Sequence, residues 1–435
     1  MASFSFGAGN ARKLMRIPLY VAGRLATLVI PRSRDEWVFG CGVGVADGAL
    51  ALWPVVAAGG HRAVWLGDSA RERADAAARG IPFVRGHSLQ GFWRTARARV
   101  VVVTHGLGDV NRYAVAGAFV VQLWHGIPLK RIGLDSPETT RLSGRARPSL
   151  AAVVASRVLH QLYRRTVSGI RVLPAASHLV RGRLQSAFAL ADGCVPVTGE
   201  PRVDVLSRGT AEERRSAARA GVVAAVGELS DDTRLVLYAP TWRDGQVDPA
   251  IPTPSEWKLL EEVLAANDAV LLIRSHPLGA GHYTPPAATP RVRLIGSDVV
   301  ADVTPLLPAL DALITDYSSL AFDAALVPLP VIYLAPDVEE YGSRRGFYGR
   351  FVDVAGEDWA SDWTRAAADL GAVLGDAVEA ERRRQRSREL SDRVHAFRDG
   401  SNTQRVYRAI QSRRGRRTPV GRIDARTGLT AGGSS

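Results

Sequence analysis

The sequence predicts an α/β protein made of two doubly wound domains, each a parallel sheet covered by helices. A chain of 435 residues is too long for one compact core. Short β-rich runs alternate with helical stretches, which is the pattern of βαβ units. That alternation comes in two series, with a boundary near Val195–Gly199.

The first run, Ile17–Ile30, is apolar but carries Arg24 and falls below the roughly 18–20 residues that span a bilayer. It also lacks a small-residue cleavage site, which argues against a secretory signal. Arg12, Lys13, Arg16, Arg24, Arg32 and Arg34 surround Leu14, Ile17, Leu19, Val21, Leu25, Leu28 and Ile30. This suits a basic segment lying in a membrane interface, or else a first helix packed on the core. Strands are expected at Trp37–Phe39, Arg62–Leu66, Val100–Thr104 and Phe119–Trp124, with helices at Ala46–Ala58, Ser69–Arg79 and Gln90–Ala98. The second series places strands at Leu235–Tyr238, Ala269–Arg274, Val292–Ile295, Ala312–Thr315 and Val331–Leu334, and helices at Glu256–Ala266 and Ser318–Leu326. Glu379–Phe397 reads as a charged helix and Gln404–Ser412 as a short further one. Arg413-Arg414-Gly415-Arg416-Arg417 then opens a Gly/Ser/Thr tail of disordered composition. That cluster suits RNA, anionic lipid or no specific partner.

Apolar residues make up 46% and charged residues 23%, an ordinary balance for a folded, soluble chain. Lys and Arg number 56 against 43 Asp and Glu, a net charge of +13, and nearly all are arginine. Such an excess implies an anionic partner: nucleic acid, lipid head groups or a phosphorylated substrate. Cys41 and Cys194 stand far apart, so neither a disulfide framework nor a zinc site is expected, which fits a reducing compartment.

Most of the polar residues that carry chemistry cluster where strands end. After Ala312-Leu313-Ile314, the segment Thr315-Asp316-Tyr317-Ser318-Ser319 turns into a helix. Ser318 and Ser319 stand at its start with unpaired N–H groups, two hydroxyls and the positive end of the helix dipole, a site for phosphate. The same serines would also serve as plain helix caps. In Trp124-His125-Gly126-Ile127-Pro128-Leu129-Lys130, Gly and Pro turn the chain directly after His125. His125 is placed there as a general base, or as a histidine satisfying backbone groups in the turn, and Lys130 adds a cation. Arg274-Ser275-His276-Pro277 repeats the arrangement, and Arg274 with His276 suits a pyrophosphate. Thr241, Trp242 and Arg243 end another strand with groups that suit a nucleotide's base and sugar. Gly199 and Pro201 shape a turn that brings Arg202 and Asp204 toward the crevice, and Glu339 lies in a polar loop before Arg345-Gly346-Phe347-Tyr348. Each segment alone also reads as an ordinary turn or solvated loop, but their shared place at strand ends argues for function. No carboxylate pair with metal spacing presents itself, so neither metal nor cofactor is expected.

Taken in order, His-Gly-Ile-Pro-Leu-Lys, Gly-x-Pro-Arg-x-Asp, Tyr-Ala-Pro-Thr-Trp-Arg-Asp, Arg-x-His-Pro, Thr-Asp-Tyr-Ser-Ser and Arg-Gly-Phe-Tyr resemble the CDP-glycerol glycerophosphotransferase family. Members of that family build teichoic acids and related poly(glycerol phosphate) polymers. The resemblance covers most of the chain, from Ile30-Pro31-Arg32 to about Phe351. It implies a GT-B-like pair of Rossmann-like domains with the active site in the cleft, a CDP-activated donor, and peripheral attachment to the cytoplasmic face of a bacterial membrane. By position, His125 matches the family's proposed general base. His276, with Arg274, matches the group on the donor diphosphate, and Ser318 and Ser319 match the serines that hold its phosphates. Glu200 and Val203 depart from the family pattern, which puts the glycerol contacts in doubt. The part before the first strand is too short for the extra helical membrane-targeting domain of the large polymerases. The implied division is residues 1–31 as a basic membrane-interface segment and 32–195 as an acceptor domain. Residues 196–398 form a CDP-donor domain with a terminal helix, and 399–435 a short helix with a basic tail.

The expected activity is transfer of glycerol phosphate from CDP-glycerol to a hydroxyl of a lipid-linked acceptor, releasing CMP. The alternative is CDP-ribitol or another nucleotide-activated donor on the same fold. A non-catalytic protein binding RNA or membranes leaves the ordered strand-end motifs unexplained, so no nucleic-acid partner is expected.

Overall fold

The computed structural model describes residues 17–139, 150–243, 247–275 and 283–415. Six parallel strands form the first sheet: β1 (Glu36–Gly40), β2 (Arg62–Gly67), β3 (Phe83–Arg85), β4 (Val100–Val103), β5 (Phe119–Gln122) and β6 (Ile170–Val172). Their spatial order is β3-β2-β1-β4-β5-β6. Five form the second: β7 (Arg234–Ala239), β8 (Ala269–Ile273), β9 (Val292–Leu294), β10 (Ala312–Thr315) and β11 (Val331–Tyr333). Here the order is β11-β10-β7-β8-β9, again parallel. Each order reverses once, between β1 and β4 and between β7 and β10. Open α/β sheets bind ligands in the crevice at the carboxyl ends beside that reversal.

The central strands are buried on both faces, which is why they read as unbroken apolar runs rather than alternating ones. Trp37 and Phe39 point to one face of β1, where Leu52 and Val56 of helix Asp47–Ala58 and Val406 and Ile410 of helix Asn402–Gly415 cover them. Val38 points to the other. It belongs to a continuous apolar cluster that runs through Val101, Ile127, Leu173 and Phe188 into Leu237, Leu272 and Leu313 of the second sheet. Helix starts follow local chemistry. Ser69 with Glu72, and Thr253 with Glu256, form reciprocal capping boxes at helices Ala70–Ala78 and Pro254–Ala266.

The expected strands are all present. The sequence reading lacked the three-residue strands β3 and β6 and the helices Leu150–Val167, His178–Phe188, Ala211–Val226 and Trp363–Gly375. The expected helix Ser318–Leu326 is shorter, running from Leu320 to Ala324. The Gln404–Ser412 stretch lies inside helix Asn402–Gly415, which returns to the first sheet. Asp204 starts that helix by accepting from the N–H groups of Asn402 and Thr403 at 2.9 and 2.8 Å and from the Thr403 hydroxyl at 2.6 Å. Asp204 is therefore a cap and not, as expected, a group facing the crevice. Residues beyond 415 lie outside the described residues.

Helix Ile17–Val29 stands on the first domain by a narrow contact. A Cβ on Gly23 would fall 2.2 Å from the Tyr113 carbonyl oxygen, so this glycine sets the approach, and the Tyr20 and Tyr113 rings meet edge to face at 4.9 Å. Leu19, Val21, Leu25, Leu28 and Val29 are left between 53% and 82% exposed. A helix packed on the core would bury them. No helix among the described residues is long and apolar enough to cross a membrane. Arg12, Lys13, Leu14 and Arg16 lie outside the described residues, and Arg32 donates to the carbonyls of Thr95, Ala98, Ala114 and Ala116.

Candidate active site

The carboxyl ends of the two sheets meet at one point. Beyond β5, Trp124 adopts φ +62°, a left-handed conformation that costs a bulky residue on the order of 1–3 kcal/mol. His125 and Gly126 follow directly in the turn. Gly126, at φ +135°, lies so close to the second domain that a Cβ there would be 2.8 Å from Ser319 Oγ and 3.3 Å from the Arg202 guanidinium. The sequence placed His125 and the Ser318–Ser319 pair in separate domains, and the fold sets them side by side.

His125 is half-buried between aromatic rings. The His105 ring stacks on it at 4.3 Å, nearly parallel at 2°, and the Trp124 ring lies at 4.2 Å. Its Nδ1 lies 3.5 Å from the Thr104 carbonyl. Burial, then the neighbouring His105, holds His125 well below the usual histidine range, so its ring is neutral at physiological pH. His105 is pushed down to about 4 by burial and by Arg202, and its Nδ1 lies 2.8 Å from Thr104 Oγ1.

The sequence reading missed His105, although Thr104-His105-Gly106 repeats the strand–His–Gly pattern of His125. Asp47 was missed as well. It follows the glycine-rich turn Gly40–Gly44 after β1, at φ +62°, and burial drives its carboxyl up to about 7 against the opposing pull of Arg202. Spaced glycines between a first strand and a first helix are the signal that could have found it. Cys41, Asp47 and His105 each offer a donor atom within 4.8 Å of the others. Burial, with Asp47 and Asp109 adding to it, raises the Cys41 thiol well above its ordinary value.

On the second domain, Ser318 Oγ accepts from the Leu320 N–H at 3.2 Å. Among the described residues the N–H groups of Ser318 and Ser319 have no hydrogen-bond partner, and both side chains are partly exposed. Asp316 ties the ends of β7 and β10 together: it accepts from the Thr241 N–H at 2.9 Å, the Tyr317 N–H at 2.6 Å and Arg243 at 2.8 Å. The hydroxyl of Thr241 is buried without a partner among the described residues, while that of Thr315 donates to the Ala239 carbonyl. Trp242 is half-buried, and Asp244 lies outside the described residues.

Several arginines expected to face ligand are turned to the protein instead. Arg243 also pairs with Asp337 at 2.8 Å and lies over the rings of Tyr317 and Tyr341, at 5.0 and 5.1 Å. Arg274 donates to the carbonyls of Ile295, Val300 and Ala301, bracing the loop that Arg71 of the first domain holds through the carbonyls of Ser297, Asp298 and Val299. Arg202 is buried, bonded to both oxygens of Asp323 at 2.5 Å and to Thr304 Oγ1 at 3.2 Å. Pro201 opens the 3-10 helix Pro201–Leu206 that carries it. Gly199, at φ +74°, packs against Asn402, whose Oδ1 would lie 2.1 Å from a Cβ there. His276 lies outside the described residues, and Glu339 is exposed on helix Val338–Arg345.

Lys130 joins the two halves. Its backbone pairs antiparallel with Phe347, Tyr348 donates its N–H to the Leu129 carbonyl, and Lys130 Nζ lies 3.4 Å from the Tyr341 hydroxyl. The Arg-Gly-Phe-Tyr motif is thus a clasp across the cleft.

A profile of the family described as CDP-Glycerol:Poly(glycerophosphate) glycerophosphotransferase matches residues 50–412. Similar curated proteins include a teichoic acid glycerol-phosphate transferase of Staphylococcus aureus, 27% identical over 62% of this chain and 65% of that protein. The teichoic acid poly(glycerol phosphate) polymerase of Bacillus subtilis is 27% identical over 63% of this chain and 35% of its own. The match thus spans just under two thirds of the first relative and about a third of the second. A solved structure of the wall teichoic acid polymerase TagF soaked with CDPG superposes with a TM-score of 0.69 at 20% identity, over 94% of this chain and 98% of that one. At that identity the likeness is one of fold, a GT-B-like pair of parallel-sheet domains.

Proposed function

Because the chain belongs to the CDP-glycerol:poly(glycerophosphate) glycerophosphotransferase family, we propose that it moves glycerol phosphate from CDP-glycerol to a hydroxyl of a lipid-linked, teichoic-acid-like acceptor. The reading is supported above all by the approach of Gly126 to Ser319, which sets a neutral histidine against unpaired N–H and hydroxyl donors across the cleft. The acceptor oxygen attacks the phosphorus that bears glycerol. A new P–O bond forms, the bond to the CMP phosphate breaks, and CMP leaves as the dianion. With a proton on Nδ1 toward the Thr104 carbonyl, His125 accepts the hydroxyl proton at Nε2. Ser318 and Ser319 donate to the diphosphate, where negative charge grows on the leaving group. His276 is the further candidate for that charge. Arg274 serves by holding the 295–301 loop.

The lipid-linked acceptor requires the cleft to sit near a membrane. Helix Ile17–Val29, with its exposed apolar side chains, is the proposed anchor to the cytoplasmic face of the bacterial membrane.

Incubating the protein with CDP-glycerol or CDP-ribitol and a lipid-linked acceptor should release CMP and extend the acceptor by glycerol phosphate. Extension from CDP-ribitol alone would move the assignment to that donor, and CMP release from neither would overturn the reading. In calorimetry, Ser318→Ala combined with Ser319→Ala should weaken CDP and CMP alike, by about 1.5–3 kcal/mol for each charge-assisted bond lost. Unchanged CDP affinity would remove the two serines from the donor site.

A further inference from the structure

Away from the cleft, the N-terminal and C-terminal segments meet at a cavity of about 520 Å³ lined by Arg32, Ser33, Arg34, Arg99, Gln411 and Arg414. Four guanidinium groups face it and no carboxylate lines it. Arg32, fixed by four backbone carbonyls, is its floor. Arg414 lies over the Trp37 ring at 5.5 Å and donates to Gln411 Oε1 and the Arg34 carbonyl, each at 3.3 Å. Arg34 and Arg99 are exposed, and among the described residues neither side chain has a hydrogen-bond or ion-pair partner. Burial, then Arg99, presses Arg32 down to about 10, and the same two causes lower Arg414 against the opposing pull of Asp35. Like charges gathered in this manner repel one another until an anion enters among them.

The neighbourhood says which anion. Arg32 follows Val29 by three residues, which at full extension reach at most roughly 11 Å. The apolar residues nearest the pocket are the most exposed of their helix, Leu28 at 75% and Val29 at 82%. The Trp37 ring is covered by Arg414, so no open aromatic face awaits a nucleotide base. A ligand with a phosphate beside a hydrocarbon chain satisfies both features at once.

We propose that this pocket is a headgroup site for an anionic phospholipid, with the phosphate among Arg34, Arg99 and Arg414 and the acyl chains against Leu25, Leu28 and Val29. The proposal rests on the reading of Ile17–Val29 as the membrane anchor. It adds the end of helix Asn402–Gly415 to the membrane-facing surface.

Flotation of the full chain with vesicles of phosphatidylcholine, with and without phosphatidylglycerol, tests both readings separately. Wild type should favour the phosphatidylglycerol vesicles. Arg34→Gln with Arg99→Gln should bind them on the order of 30-fold more weakly, the loss expected for two charges at an anionic surface. Its binding to neutral vesicles and its circular dichroism should be unchanged, and Arg34→Lys with Arg99→Lys should restore most of the loss. Leu25→Glu with Leu28→Glu should abolish binding to both vesicles. An arginine variant that floats as wild type does, beside a leucine variant that does not, would leave the anchor standing and overturn the pocket. Wild type that floats with neither vesicle would overturn both. Full release by millimolar glycerol phosphate would mark a site for free phosphate esters and overturn the lipid assignment.

Discussion

His125→Ala should lower kcat by about 10²–10⁴-fold, the contribution of a positioned general base, while leaving CDP affinity and the fold in place. The fold should hold because, among the described residues, the imidazole makes one long contact to the backbone, 3.5 Å to the Thr104 carbonyl, and is otherwise stacked between rings. CDP affinity should hold because the proposed phosphate donors belong to the other domain. Steady-state kinetics beside calorimetry separates the two effects. A variant keeping more than about a tenth of wild-type turnover would lose less than a general base supplies, and the role would pass to another group. The pH profile is a second check. Burial and His105 depress the His125 pKa, so the ring is neutral at physiological pH. The acid limb of kcat/KM assigned to it should therefore fall below the ordinary histidine range near 6.5.

Arg202→Ala should cost stability rather than chemistry, about 3–5 kcal/mol, because it strands buried carboxylates. Burial opposes the charge of Arg202, but Asp323, Glu200 and Asp47 more than offset it. Without the guanidinium, Asp323 loses both of its bonds, and Glu200, whose Oε2 lies 3.9 Å from Arg202 Nε, loses its counter-charge. Denaturant titration measures the loss. Adding Asp323→Leu to Arg202→Met should recover part of it, since an apolar pair of similar volume avoids the unpaired charge. Wild type should also respond to pH through this cluster. Burial raises both Asp47 and Glu200 to about 7 in the folded chain, above their ordinary values of 3.8 and 4.5. The folded state therefore holds protons that the unfolded chain has released, so stability falls as pH rises from about 4 to 7 and then levels. A midpoint of denaturation that climbed over that window would contradict the assignment.

The strands were legible because buried parallel strands are continuous apolar runs: Val100–Val103 is four valines, and Ala312–Thr315 falls where the pattern placed it. The three-residue strands β3 and β6 carry no periodicity to read. Strand ends marked His125, Ser318 and Ser319 as candidates, and the structure places them partly exposed beyond β5 and β10 with Gly126 against Ser319. The arginines misled for a physical reason. A polar residue at a strand end or in a turn has the same sequence signature whether it faces a ligand or a partner 121 residues away, as Arg202 faces Asp323. Asp204 and Arg243 belong to the same class, their partners being Thr403 and Asp337. His105 carries the same signal as His125, a His-Gly pair just beyond a buried strand, here Val100–Val103.

The return of helix Asn402–Gly415 to the first sheet has a mechanical consequence. The backbone passes between the halves twice, once after the Ala175–Val197 bridge and once between Val394 and Asn402, where the Ala396 N–H donates to the Ala176 carbonyl. Around those crossings the apolar cluster runs unbroken from Val101 into Leu313, and Arg71 holds the carbonyls of Ser297 and Val299, so the two covalent ties are braced by packing and hydrogen bonds. The Lys130–Phe347 clasp adds a third tie, made through backbone pairing rather than through the chain itself. The approach of Gly126 to Ser319 is thus held by covalent and non-covalent ties on separate segments of the chain.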